Sequence, residues 1–132
     1  MKIVMHDEED LEIKEFGSPE FEIESVNSQA HYSALQMFAT SIALCTYSVL
    51  AGYGEQINSP TKNIVIRIRW SYVEDPFRIG DINMEISWPG LPESRLKAAQ
   101  RAASHCTLHH TLENSPSIVT QVSNAIISDK VK

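Results

Sequence analysis

Positive charge is in short supply in this sequence. Its 132 residues carry 11 Lys and Arg against 17 Asp and Glu, a formal net charge of −6. A nucleic-acid backbone must be neutralised by clustered Lys and Arg, so neither DNA nor RNA is expected as a partner. Cysteine is scarcer still. Two thiols, Cys45 and Cys106, are too few for a disulfide framework. The start Met1 to Asp7 lacks the apolar stretch and small-residue cleavage site of a secretory signal, so a reducing, cytoplasmic location is expected. There each thiol is either a buried filler or a reactive group. Long hydrophobic runs are limited to Ala34–Ala51, which is uncharged and approaches the roughly 20 residues of a bilayer helix. That run also holds Gln36, Thr40, Ser41, Thr46, Tyr47 and Ser48, its flanks show no Lys or Arg bias, and no second span follows. A helix buried in a protein core is expected there, and no membrane association.

Apolar residues make up 42% of the chain, enough at this length for one core, so residues 1–132 are expected to form a single domain. Acid is concentrated early, with nine Asp or Glu between His6 and Glu24 against the single Lys14. This predicts a solvated face around the first strands. Period-two alternation places Ile3 and Met5, then Leu11 and Ile13, then Phe21, Ile23 and Ser25 on three short strands, read as a meander.

A helix is predicted from Ser33 to about Tyr53, apolar around most of its circumference and so buried nearly all round. Ser28 or Ser33 supplies its cap and Gly52 with Gly54 its stop. Alternation returns at Asn63–Val73, with Ile64, Ile66, Ile68, Trp70 and Tyr72 on one side. It recurs at Ile79–Trp88, where Ile82, Met84, Ile86 and Trp88 share a side, and the turn at Glu74-Asp75-Pro76 makes the two an antiparallel hairpin. From Pro92 or Glu93 a second, amphipathic helix brings Leu96, Ala99, Ala103 and Cys106 to one face, and a last strand is expected over Ile118 to about Ile127. The order predicts an α+β domain. A sheet this small covers one side of a fully apolar helix, so a second copy of the chain is expected on the other side, as an intertwined homodimer.

A cysteine on an apolar helix is ordinarily core filling, but here the two such residues are the chain's only cysteines. The segment Ser33-Ala34-Leu35-Gln36-Met37-Phe38-Ala39-Thr40-Ser41-Ile42-Ala43-Leu44-Cys45 resembles the central helix of the OsmC/Ohr family, close to Pro-Glu-Glu/Gln-Leu-hydrophobic-Ala-Ala followed by small residues and a reactive cysteine. Arg95 to Cys106, continued by Thr107-Leu108-His109-His110-Thr111-Leu112, resembles the family's second helix, which ends in Cys-Pro-Val. The two motifs, in this order and separated by a hairpin, match the family over nearly the whole chain.

The resemblance implies the family fold and a thiol-dependent reductase of organic hydroperoxides, with Cys45 peroxidatic and Cys106 resolving. It implies a hydrophobic peroxide as substrate, an unspecified thiol reductant, and no cofactor. The nucleophile in such chemistry is the thiolate, so something must favour its negative charge.

The family uses an Arg from the N-terminal strands, held by a Glu near the start of the central helix. This chain has no Arg before Arg67 and carries Leu35 at the Glu position. His31, Gln36 and His109 are the candidate pKa-setting or pocket residues, with His105, His110, Arg67 and Arg69 as further cations. The departure also defines an alternative: a non-catalytic dimer of the same fold that binds a hydrophobic small molecule. Cys106, His109 and His110 have the ligand types of zinc, but Cys-x-x-His without a second ligand pair does not predict a metal site.

Overall fold

Period-two alternation becomes a strand in each of the five segments where it is expected up to Ser87, with Phe21, Asn63 and Ile64 falling just outside the strands. The computed structural model describes residues 1–126. Strands β1 (Lys2–Asp7) and β2 (Asp10–Lys14) form a hairpin with Ile3 opposite Ile13 and Met5 opposite Leu11. Strands β4 (Val65–Val73) and β5 (Arg78–Ser87) form the second predicted hairpin. The first three strands are not a meander. Strand β3 (Glu22–Ser25) crosses back to lie parallel to β1, giving the order β3-β1-β2-β4-β5. Burial explains the exchange. Pairing β2 with β4 sets Leu11 opposite Ile68 and Ile13 opposite Ile66, all four with no exposed surface. Strand β3 is exposed along its whole length and gains less by taking a central position.

The alternation separates the two faces of the sheet. The inner face carries Ile3, Met5, Leu11, Ile13, Ile66, Ile68 and Trp70, which form the core with Ile64. The outer face carries ion pairs: Arg67 with Asp10, Arg69 with Glu85, His6 and Lys14 with Glu12, and Lys2 with Glu24. The early acidic residues are therefore partly matched by cations across the strands.

Helix α1 (Ala34–Gln56) packs on the inner face through Ala39, Ile42, Ala43 and Leu50. Its start is fixed at Ser33, whose N–H and hydroxyl both donate to Gln36 Oε1, at 2.9 and 3.0 Å. It runs through Gly52 and Gly54 and stops after Gln56, where Asn58 takes the left-handed conformation (φ 57°). Gly54 serves close approach instead of termination. A Cβ there would lie 2.4 Å from Thr61 Cγ2 and 2.8 Å from the Ser59 carbonyl oxygen. Although α1 is long and apolar enough to span a bilayer, one of its faces is spent on the sheet. Nor is it buried all round, because a single sheet covers one side. Met37 is 56% and Leu44 40% exposed, on a stripe that also holds Ser41 and Ser48.

The predicted second helix is two helices. A 3₁₀ turn at Glu93–Arg95 leads into α2 (Leu96–Ala103), and after a break α3 covers Thr107–Glu113. Ala99, Ala103 and Cys106 are buried as expected, whereas Leu96 is exposed. The expected last strand does not form over 118–126, which has no regular secondary structure and is exposed. Ile127 lies outside the described residues.

Candidate functional site

The break between α2 and α3 builds the site. Ser104-His105-Cys106-Thr107 is a run of weak helix formers. The last α2 bonds there are of the tighter, i to i−3 kind, with Ser104 N–H on the Arg101 carbonyl and His105 N–H on the Ala102 carbonyl. Cys106 then turns extended (φ −73°, ψ 139°) and becomes the N-cap of α3, its Sγ accepting the His109 N–H at 3.4 Å. Read as the end of one long helix, Cys106 sits at a negative helix terminus that opposes a thiolate. In the structure it sits at a helix N-terminus, where unpaired N–H groups point outward.

Cys45, half-buried on α1, meets this junction. Burial pushes its thiol up. The hydrogen bond from the Cys106 thiol and the backbone N–H groups of Leu108 and Thr107 outweigh burial and leave the Cys45 pKa below that of an ordinary cysteine. Cys106 moves the other way. Burial raises its pKa, and its hydrogen bond to Cys45 raises it further, against the opposing N–H groups of His109 and Leu108. The pair is therefore polarised: Cys45 is the sulfur that ionises first, and Cys106, fully buried, keeps its proton to donate. No side-chain cation contributes to the lowered Cys45 pKa.

The other candidates are distributed elsewhere. Gln36 is 4% exposed and fully engaged, its Oε1 in the α1 cap and its Nε2 donating to the Glu8 carbonyl at 2.6 Å. It lies nine residues, about 13 Å of helix, before Cys45, so it anchors α1 to the β1–β2 turn. His31 is exposed in the segment before α1. Arg67 and Arg69 are held on the outer face by Asp10 and Glu85. His109 reaches the site through its backbone, while its ring pairs with Glu113 at 3.3 Å. His105 and His110 stack obliquely on each other, 5.7 Å apart. Among the described residues no group of three His, Cys, Asp or Glu side chains converges as a metal would require.

Sequence reasoning missed the backbone donors of Thr107 and Leu108. The signal was present. The family's second motif has Pro after its cysteine, and Thr107 at that position supplies an N–H that Pro lacks.

Beside the pair, a groove of about 400 Å³ runs between β5 and the α2–α3 arm. Ile42, Ile82, Met84, Ile86 and Ala103 form its walls, and Gln100, Ser104, His109 and Glu113 add polar groups. Ile42 lies one helical turn before Cys45. Neither cysteine lines the groove.

A sheet wrapped on a long central helix, with a second helical arm bringing a buried cysteine to that helix, defines an α+β fold. It is shared with a crystal structure of a protein from Psychrobacter arcticus 273-4, provisionally described as an osmotic stress induced and detoxification response protein. The TM-score is 0.57 at 17% identity, covering 64% of this chain and 62% of that one. This likeness establishes the fold, over less than two thirds of the other protein's length. No family model and no curated protein matches the chain.

Proposed function

We propose that the chain is a thiol peroxidase for organic hydroperoxides, of the OsmC/Ohr type, with Cys45 as nucleophile and Cys106 as resolving thiol. The observation that carries the reading is the meeting of the two thiols where α1 faces the α2–α3 junction, with Cys106 as N-cap of α3 and the Thr107 and Leu108 N–H groups beside Cys45. The Cys45 thiolate attacks the terminal oxygen of ROOH. The O–O bond breaks, the alcohol ROH leaves after taking a proton, and Cys45 becomes a sulfenic acid. Cys106 sulfur then attacks the Cys45 sulfur and expels water, so two thiols and one hydroperoxide give one disulfide, one alcohol and one water. A cytoplasmic thiol reductant would return the pair to the start. The apolar groove favours a hydrophobic R group. The fold's likeness to a stress-response protein is consistent with this chemistry.

The test is direct. One equivalent of cumene hydroperoxide added to the reduced protein should yield a Cys45–Cys106 disulfide on peptide mapping by mass spectrometry, and two unchanged thiols would refute the reading.

A second reading is favoured by the groove and by the lack of a cation at Cys45: a non-catalytic protein that binds an apolar small molecule. Under it, Cys45→Ser leaves binding of a fluorescent fatty acid unchanged and the thiols survive peroxide. On either reading the chain is proposed to work as a homodimer, because the Met37, Ser41, Leu44, Ser48 stripe of α1 combines exposed apolar groups with small ones that let a second helix approach. A monomeric mass by light scattering at micromolar concentration would overturn that.

A further inference from the structure

The groove beside the thiols continues along β5. A second cavity of about 440 Å³ shares Met84, Ile86, Gln100 and Ala103 with it and carries it on to Leu50, Trp88, Leu91 and Leu96. The two ends differ in chemistry. At the Trp88 end every lining residue except Gln100 is apolar, and the indole N–H is already donated to the Pro60 carbonyl at 2.9 Å. At the α3 end stand Ser104, His109 and Glu113. A groove dry at one end and polar at the other fits an amphipathic molecule.

The polar end is rich in acceptors and short of donors. A carboxylate accepts and cannot donate, so the His109 nitrogen that faces Glu113 at 3.3 Å spends its hydrogen there. The Ser104 hydroxyl spends its hydrogen on the Gln100 backbone carbonyl, also at 3.3 Å. Carboxylate and hydroxyl oxygens are left for a ligand, and the Gln100 side-chain amide adds one group of each kind. Among the described residues that line this end, His109 and Glu113 are the ionisable ones, and no Lys or Arg joins them. With a neutral imidazole the pair carries one negative charge, and with a protonated one it carries none. In neither state does a ligand carboxylate meet net positive charge, whereas an ammonium group meets acceptors in both. The net charge of −6 draws cations toward the chain in the same sense.

We propose that this groove binds a cationic amphiphile, a primary amine that sets its ammonium group on Glu113 and Ser104 and lays an apolar tail along β5 toward Trp88. The tail of a fatty acid fits the same walls, but its head finds no partner. The inference uses the groove and not the thiols, so it stands if the peroxidase reading fails.

Three heads on one tail test it. Octylamine, octanol and octanoate are titrated into the full-length reduced protein at pH 7 and fixed ionic strength, below micellar concentration, with binding followed through the methyl NMR signals of Met84 and Leu112. Octylamine should bind about three- to tenfold more tightly than octanol, the worth of a partly exposed charge-assisted bond, and octanoate no more tightly than octanol. Two variants with the same change in charge separate this site from the general attraction of an acidic protein for amines. Glu113→Gln should erase the preference for amine over alcohol. Glu20→Gln, exposed before the opposite edge strand β3, should keep it. Equal binding of the three probes, or a preference that survives Glu113→Gln, would overturn the proposal. So would the absence of any shift at Met84 and Leu112, the result expected if the C-terminal segment or a second copy fills the groove.

Discussion

The two faces of the sheet handle charge in opposite ways. On the outer face, charged side chains pair across strands: Arg67 binds Asp10 through two bonds of 2.5 and 2.8 Å, and Arg69 binds Glu85. On the inner side, where Cys45 meets the α2–α3 junction, negative sulfur is favoured by a thiol and two backbone N–H groups, with no side-chain cation. The difference teaches that the environment of Cys45 is set without a side-chain cation. What favours negative charge there is the break in the second helix, which turns the Thr107 and Leu108 N–H groups toward Cys45. Side-chain ion pairs match charge on the outer face, and backbone N–H groups favour it at the thiol.

The largest expected effect separates the two sides outright. Cys45→Ser should reduce hydroperoxide consumption by on the order of a thousandfold while leaving the melting temperature nearly unchanged, as followed by loss of peroxide and by circular dichroism. Cys106→Ser should spare the first turnover and block the second, so that Cys45 accumulates as sulfenic and then sulfinic acid in the mass spectrum. A smaller change sharpens the point about backbone donors. Thr107→Pro removes one N–H at the first position of α3, where Pro is tolerated, and the extended Cys106 before it suits Pro. Iodoacetamide labelling of Cys45 at neutral pH should slow by about two- to tenfold, the worth of one hydrogen bond. An unchanged rate would show that the dipoles do not set the thiol.

The smallest effect lies on the outer face. Asp10→Asn should cost about 1 kcal/mol at pH 7, since the pair is partly exposed and screened by solvent, and should leave Cys45 labelling unaltered. The hydrogen bond from Arg67 is the main cause that holds the Asp10 carboxyl below its ordinary pKa. Its stabilisation is therefore fully present above the unfolded value, near pH 4, and is lost as pH falls through the lower folded value. Acid titration of stability should show this loss in the unsubstituted chain and a flatter profile in Asp10→Asn.

Local pattern made much of the fold legible. Ile64, Ile66, Ile68 and Trp70 declared their face, Ser33 was one of the two caps offered with Ser28, and Asp75-Pro76 marked the second hairpin's turn. What was not legible depended on competition between distant segments. Nothing in Phe21, Ile23 and Ser25 says that β4 will outbid them for the edge of β2. The helix break at Ser104–His105 was hidden because Leu96, Ala99, Ala103 and Cys106 keep helical spacing across it, so the periodicity continues where the hydrogen bonds do not. Gly54 misled for a related reason, since a glycine required for close approach to Thr61 looks, in sequence, like a stop. Within the site, Cys45 and Cys106 were readable as residue types at motif positions. Their electrostatics were not, because the groups that matter are peptide N–H donors that no side-chain pattern records.

The most direct test of the thiol assignment is a pH titration of both cysteines in the reduced protein, following alkylation at each by mass spectrometry. Cys45 should reach half-maximal reactivity at a lower pH than a free cysteine, and Cys106 at a higher one. Equal titration of the two, or earlier ionisation of Cys106, would contradict the account.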